Sequence, residues 1–308
     1  MQKLLYTVIM EESAYEASKI RQLEASDERQ YLLNDSYEVY EKVGAPTGAS
    51  AFHYHSFYEI IYVLEGEYSS MVENQIYNLK KGDFLLIDSN IMHKYNYVEA
   101  KHENSKRIIL WVAKEMLDKL SDGSLDLTGC FRHAHATSCA FHFPIYYEEM
   151  LRGFLIKLAM DEIPDVPKKG AKEVLDRAFL TQFFVYLNML CGKKEYLFSE
   201  EESLSDPMVE LISRYIDDHI GESISVEELA ECAHMSKYHF LRKFKELTGV
   251  TAHTFVNNKR LIKAAEELKK GYSIARVCET VGFSDYSSFL RNFKKTFGVS
   301  PGKYKDFY

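Results

Sequence analysis

Histidines at positions 53, 55 and 93 and a glutamate at position 59 are the residues of this chain best suited to chemistry. Three imidazoles and a carboxylate can ligate zinc, iron, manganese or nickel and leave coordination positions for a substrate. The same groups can instead hydrogen-bond one another, or a small polar molecule, without a metal. His53, His55, Glu59, Ile61 and Val63 share odd parity, so on an unbroken strand their side chains lie on one face. His93, Tyr95 and Tyr97 alternate in the same way. A pocket of His, Glu and Tyr with apolar walls suits a small polar metabolite, such as a sugar. The expectation is therefore a ligand pocket of His53, His55, Glu59, His93 and Tyr95, with no catalytic residue and no cofactor. A metal ion on His53, His55, Glu59 and His93, in an enzyme or a metal-responsive regulator, is the alternative.

The segments that must position these residues read as strands. AFHYHSFYEIIYVLEGEYSSMV and QIYNLKKGDFLLI are rich in Tyr, Ile, Val and Phe, with Gly66 and Gly82 as punctuation, and RIILWVA (107–113) reads as a last strand. Short strands at this spacing predict a closed or sandwiched β-architecture. After Lys114 helices are expected over AKEMLDKL, PIYYEEMLRGFLIKLAMDE and about 172–191. The last of these carries Leu175, Ala178, Phe179, Phe183, Tyr186 and Leu190, and is either a dimer seam or a helix packed on the barrel. FRHAHATSCAFHF holds His133, His135 and His142 beside Cys130 and Cys139; it reads as a polar loop, with a metal or redox sensor as the other reading. The acidic, proline-ended FSEEESLSDP marks a linker, dividing the chain into 1–197, a linker at 198–206, and 207–308.

Five scattered cysteines without a CxxC point to reduced thiols and a cytoplasmic protein. The N-terminus has too short an apolar run for a signal peptide, and no stretch is apolar for long enough to span a membrane. The net charge of −8 conceals an asymmetry. Residues 1–204 hold 22 Lys and Arg against 32 Asp and Glu, whereas residues from Met235 onward hold 15 against 6. The last quarter is basic enough for phosphate contact.

That quarter contains a repeat. SVEELAECAHMSKYHFLRKFKELTGVT aligns with SIARVCETVGFSDYSSFLRNFKKTFGVS, and both copies hold FLRxFK and close on Gly-Val. Each copy reads as two short helices joined at AHMS or VGFS, a helix-turn-helix. Ser225 with Glu228 forms a capping-box pattern, and Ser236 and Ser284 are expected to cap the second helices. Phe240, Phe244 and Leu247 should face the core, leaving Tyr238, Leu241, Arg242 and Lys245 outward. Ser287, Leu290, Arg291 and Lys294 match them in the second copy. Exposed arginines suit guanine, and lysines, including Lys237, suit phosphate.

Residues 205–308 resemble the DNA-binding domain of AraC/XylS-type bacterial transcription regulators almost throughout, including GFSD…F.R.FKK..G.SP. The resemblance implies two helix-turn-helix units on a long helix at about 252–270, entering successive major grooves. Its base-contacting positions carry over to Tyr238, Leu241 and Arg242, and to Tyr286, Ser287, Leu290 and Arg291. Leu241 and Leu290 stand where polar residues are common, and Lys305 where arginine is usual. HYHSFYEIIYVLEG is similar to the first motif of the cupin-like sensing domains that precede such DNA-binding domains. GDFLLIDSNIMHKYN fits the second motif loosely, with Asp88 and Asn90 in place of proline and glycine. The fold class expected is α+β in two domains: a cupin-like β-barrel with helices, then an all-α double helix-turn-helix. The function expected is a transcription activator, not an enzyme, that binds double-stranded DNA under a small-molecule effector. A homodimer, with RNA polymerase as a further partner and no membrane association, completes the reading.

Overall fold

The computed structural model describes residues 32–33, 36–44, 52–73, 75–95, 105–121, 125–160, 169–198, 203–297 and 299–306. The N-terminal part runs through β1 (Tyr37–Val43), β2 (Tyr58–Glu65), β3 (Glu67–Val72), β4 (Gln75–Lys80), β5 (Asp83–Ile87), β6 (His93–Tyr95) and β7 (Lys106–Val112). It continues with α1 (Lys114–Leu120), α2 (Gly129–Ala136), β8 (Ala140–His142), α3 (Ile145–Ala159), α4 (Lys169–Cys191) and β9 (Ser203–Ser205). Two antiparallel sheets result, in the orders β1-β7-β2-β5-β8 and β6-β3-β4-β9.

Alternation along the strands sets three layers. β2 is buried at every position but its last, so both faces of the first sheet are covered. Tyr58, Ile60, Tyr62 and Leu64 pack with Phe131, Leu155 and Phe184 of the helices, while Ile61 and Val63 pack with Tyr68, Leu79 and Trp111 between the sheets. On the second sheet Met71 turns the other way and joins a core with Phe52, Tyr54, Met92, Val209, Ile212, Phe244 and Phe255. The helical C-terminal part thus forms a fourth layer on the outer face of the second sheet.

That part comprises α5 (Pro207–Asp218), α6 (Val226–Cys232), α7 (Lys237–Thr248), α8 (Ala252–Lys269), α9 (Ile274–Thr280), α10 (Tyr286–Phe297) and α11 (Pro301–Asp306). The fold class is therefore the expected one, a β-sheet domain with helices followed by a helical helix-turn-helix domain.

Three local features differ from the sequence reading, and one choice that it left open, the face of α4, is decided. FRHAHATSCAFHF is not a loop but α2, a turn and β8, because Phe131 and Ala134 share a buried helix face and Phe141 enters the first sheet. Ser203–Ser205, within the expected linker, pairs with Gln75–Tyr77 of β4, so backbone hydrogen bonds tie that stretch to the second sheet. On α4, Phe183 and Leu190 are buried in the core and Phe179 and Tyr186 pack against it, which gives that face to the protein's own sheet. Asp285, rather than Ser284, caps α10 by accepting from the amides of Ser287 and Ser288 at 3.2 and 2.8 Å.

Candidate sensing site and nucleic-acid interface

Three of the expected pocket residues converge. One ligand atom each from His55, Glu59 and His93 lie within 4.8 Å of one another, and all three residues are buried. His55 Nε2 is 3.4 Å and His93 Nε2 3.1 Å from the same Glu59 oxygen, Oε2. Each ring also has Nδ1 2.9 Å from a carbonyl, that of Phe57 for His55 and of Ile91 for His93. A carbonyl only accepts, so each Nδ1 donates to its carbonyl and each Nε2 is left turned to the carboxylate. Burial pushes the His55 imidazole down, against the opposing pull of the Glu59 carboxylate. Burial alone would raise the Glu59 carboxyl, but the two imidazoles outweigh it and hold the group well below the carboxylate range. The other Glu59 oxygen accepts from Trp111 Nε1 at 2.8 Å. The carboxylate thus faces the Nε2 atoms of two imidazoles, an arrangement completed by a proton or another cation.

His53 stands apart from this set. Its backbone pairs with His93 and its ring centroid lies 4.3 Å from that of His93, but it is not among the three converging donors. Tyr95 is buried on the same face of β6, its ring 5.4 Å from Tyr68. Tyr97 lies outside the described residues. Asn90, which replaces the usual glycine, adopts φ +65°, a left-handed conformation that asparagine tolerates, and its amide donates to the His55 carbonyl at 2.7 Å. The expected alternative at Cys130 and Cys139 gains no geometry. Burial raises the Cys130 thiol well above its usual value and Cys139 to about 12, while His135 and His142 are exposed and turn to Glu73 and Asp83.

Sequence reasoning missed two residues of the inter-sheet space. Trp111 and Arg107 share a face of β7 with Ile109, a parity readable in RIILWVA once the strand is known. Arg107 is 1% exposed.

The basic repeat forms two helix-turn-helix units. α6 carries the capping box, with Glu228 N donating to Ser225 Oγ at 3.2 Å and Ser225 N to Glu228 Oε2 at 2.7 Å. Ser236 occupies the N-cap of α7 without a capping side-chain hydrogen bond. Tyr238 is 87% exposed, and Lys237, Arg242, Lys245, Tyr286, Ser287, Arg291 and Lys294 are exposed as well. Among the described residues Arg242 and Arg291 meet only distant acids, Glu246 at 3.8 Å and Asp285 at 3.9 Å, leaving both guanidinium forks open to a ligand. Leu241 and Leu290 are half-buried and pack against the cores of their units, a correction to their expected outward position. Each falls one residue after a buried phenylalanine, at the margin of the apolar face.

Comparison with known proteins agrees with this geometry. A helix-turn-helix domain model matches residues 229–306, and an AraC-like ligand binding domain model matches residues 37–146. PqrA of Proteus vulgaris, a probable transcription factor, is 36% identical over 87 residues, covering 28% of this chain and 71% of that protein. The chain belongs to the AraC family of transcriptional regulators. LumQ of Photobacterium leiognathi, a probable transcriptional regulator, is 24% identical to this AraC-family chain over 263 residues, 84% of it and 93% of LumQ. A crystal structure of ToxT from Vibrio cholerae matches with a TM-score of 0.35 at 15% identity, over 89% of this chain and 98% of that one. The protein is a DNA-binding transcription regulator with a ligand-binding domain, and its relatives are regulators rather than enzymes. No described helix is long and apolar enough to cross a membrane.

In this AraC-family regulator the two domains touch directly behind the His55–Glu59–His93 cluster. Lys94 Nζ donates to the Leu247 carbonyl in the last turn of α7. Tyr54 packs edge-on against Phe297 at the end of α10, with centroids 5.6 Å apart, and Phe52 against Phe255 of α8 at 5.7 Å.

Proposed function

We propose that a small molecule bound between the two sheets controls how the helix-turn-helix units are presented to DNA, and that the protein is a cytoplasmic, homodimeric activator that engages RNA polymerase. One observation carries the ligand control. Residues 52–54 and 92–94 are paired through reciprocal His53 and His93 backbone hydrogen bonds of 2.9 and 3.0 Å. Their alternation sends His53 and His93 inward, and Phe52, Tyr54, Met92 and Lys94 outward onto the DNA-binding domain. A ligand that moves the inner face therefore moves the support of both recognition helices. It changes DNA affinity only to the extent that it binds the two arrangements differently. Fluorescence anisotropy with fragments of the gene's own upstream region, with and without candidate ligands including sugars, tests this. Salt-sensitive, sequence-selective binding that a ligand shifts supports the reading; binding indifferent to every fragment sinks it.

A metal-responsive version has its own supporting observation. The donors fit a divalent cation: Nε2 of His55, Nε2 of His93 and Oε2 of Glu59 are buried together, and both Nδ1 atoms are held by carbonyls as second partners of ligating imidazoles usually are. Such an ion would supply the positive charge that the carboxylate faces. Elemental analysis of protein purified without chelator decides: stoichiometric metal supports this version, and its absence removes it.

The dimer is supported by the other face of α4. Val174, Ala178, Gln182 and Met189 are exposed along one stripe at helical spacing, Val174 66% and Met189 64%, with the half-buried Thr181 and Val185 at its margin, where Val185 also touches the domain's own core.

A further inference from the structure

Arg107 presents a charge that the fold itself does not answer. Nη1 donates to Ser105 Oγ at 2.7 Å, Nη2 donates to the Gly44 carbonyl at 2.8 Å, and the guanidinium carbon lies 4.6 Å from the Tyr68 ring centroid. Among the described residues no carboxylate pairs with it. Both hydrogen bonds go to neutral oxygens, so they bring no negative charge to an always-protonated group. The ring face and two neutral oxygens offset only part of the cost of burying a cation. An apolar side chain at this strand position, between Lys42 of β1 and Val63 of β2, would be easier to bury.

The surroundings are those of the sensing site. Arg107 points into the same inter-sheet space as Trp111, four residues further along the face of β7 and so about 13 Å away. Trp111 hydrogen-bonds Glu59, and the rings of Tyr68 and Tyr95 lie in the same inter-sheet core. The space therefore has a cationic end at Arg107 and an anionic end at Glu59 with its two imidazoles.

We infer that Arg107 binds the effector, and that the effector is a small carboxylate whose acid group pairs with this guanidinium between the sheets. The inference rests on the reading that an effector occupies this space, and adds its chemical class. A carboxylate matches the planar fork with two parallel N–H···O bonds and neutralises the buried cation. Hydroxyls elsewhere on the molecule meet an acceptor at Glu59. A neutral sugar would satisfy that end and leave Arg107 uncompensated.

Trp111 is the single tryptophan of the chain, so its emission reports on this space. The full-length protein is titrated with gluconate, glucuronate, benzoate and decanoate, and with glucose and benzyl alcohol as neutral counterparts. At least one carboxylate is expected to give a saturable change that Arg107→Met weakens about tenfold or more. Should the Met variant fold poorly, Arg107→Lys, which keeps the charge and gives up the fork, supplies the comparison. Equal carboxylate affinity in wild type and variants, or no carboxylate response in the wild type, overturns the inference. A response to glucose alone, unchanged by either substitution, overturns it too while leaving the ligand-controlled regulator standing. That regulator reading fails only by its own DNA assay.

Discussion

Arg242 and Arg291 stand at matching positions of the two recognition helices, each with most of its side chain in solvent and, among the described residues, no acid within 3.5 Å. A guanidinium so placed can bond a guanine bidentately, and removing it leaves the rest of the helix intact. Arg242→Ala and Arg291→Ala should each weaken specific binding by about 1–3 kcal/mol and relax preference in one half of the operator. Lys245→Ala and Lys294→Ala should instead weaken binding to all sequences alike and reduce the salt slope by about one. Competition anisotropy at several salt concentrations separates the two behaviours. Lys94 yields a prediction of another kind. Burial lowers its ammonium to about 8 from an ordinary 10.5. Between those values the unfolded chain binds more protons than the folded one, so stability rises with pH across the window. Melting temperatures of wild type relative to Lys94→Met should therefore climb from pH 8 to pH 10; a flat difference would show that Lys94 is not buried against α7.

At the scale of elements, the repeat predicts its own turns. The chain leaves α6 through His234 at φ +54° and leaves α9 through Gly282 at φ +80°. In both, the following amide reaches back to an equivalent carbonyl: Met235 to Ala230 at 2.8 Å, Phe283 to Cys278 at 3.0 Å. Histidine in that conformation is strained where glycine is not, so His234→Gly should stabilise by about 0.5–1 kcal/mol. Gly282→Ala should cost about 2 kcal/mol or more, because its Cβ would lie 2.7 Å from the Ile220 carbonyl oxygen as well as straining the backbone. Thermal denaturation of both variants checks the pair. This twin turn was readable in the sequence because the repeat put AHMS against VGFS. The helix-turn-helix, the capping box at Ser225 and most of the strands were readable for similar reasons, since period and cap chemistry are local. The inward parity of His55, Glu59 and His93 was local too. What was not readable depended on distant packing: which residues accompany them, since Trp111 and Arg107 sit on a strand some fifty residues away, and that Ser203–Ser205 would find β4. The margin of a helix's apolar face is equally a tertiary matter, and Leu241 and Leu290 fell on it.

For the whole molecule, the proposed dimer would pair the stripe of α4 with a second copy in a way that its own symmetry sets. An antiparallel second copy with its twofold axis between Thr181 and Gln182 sets Val174 against Met189, Ala178 against Val185 and Thr181 against Gln182. Every position of the stripe then meets another position of the stripe, as an isologous interface requires. Small residues face larger ones, and the polar pair at the axis fixes register at some cost in stability. A parallel pairing would set Val174 on Val174 and Met189 on Met189, leaving gaps at one end and crowding at the other. The two arrangements are separated by charge. Ala178→Glu should dissociate the dimer in either case, because a carboxylate enters an apolar seam. Adding Val185→Lys restores association only in the antiparallel arrangement, where each new glutamate faces a lysine of the other copy twice over. In a parallel seam like charges would meet and the double variant would stay monomeric. Sedimentation velocity on wild type, single and double variants reads the result directly. A wild-type monomer would remove the seam altogether, and with it the expectation that one ligand event sets the spacing of two DNA-binding domains.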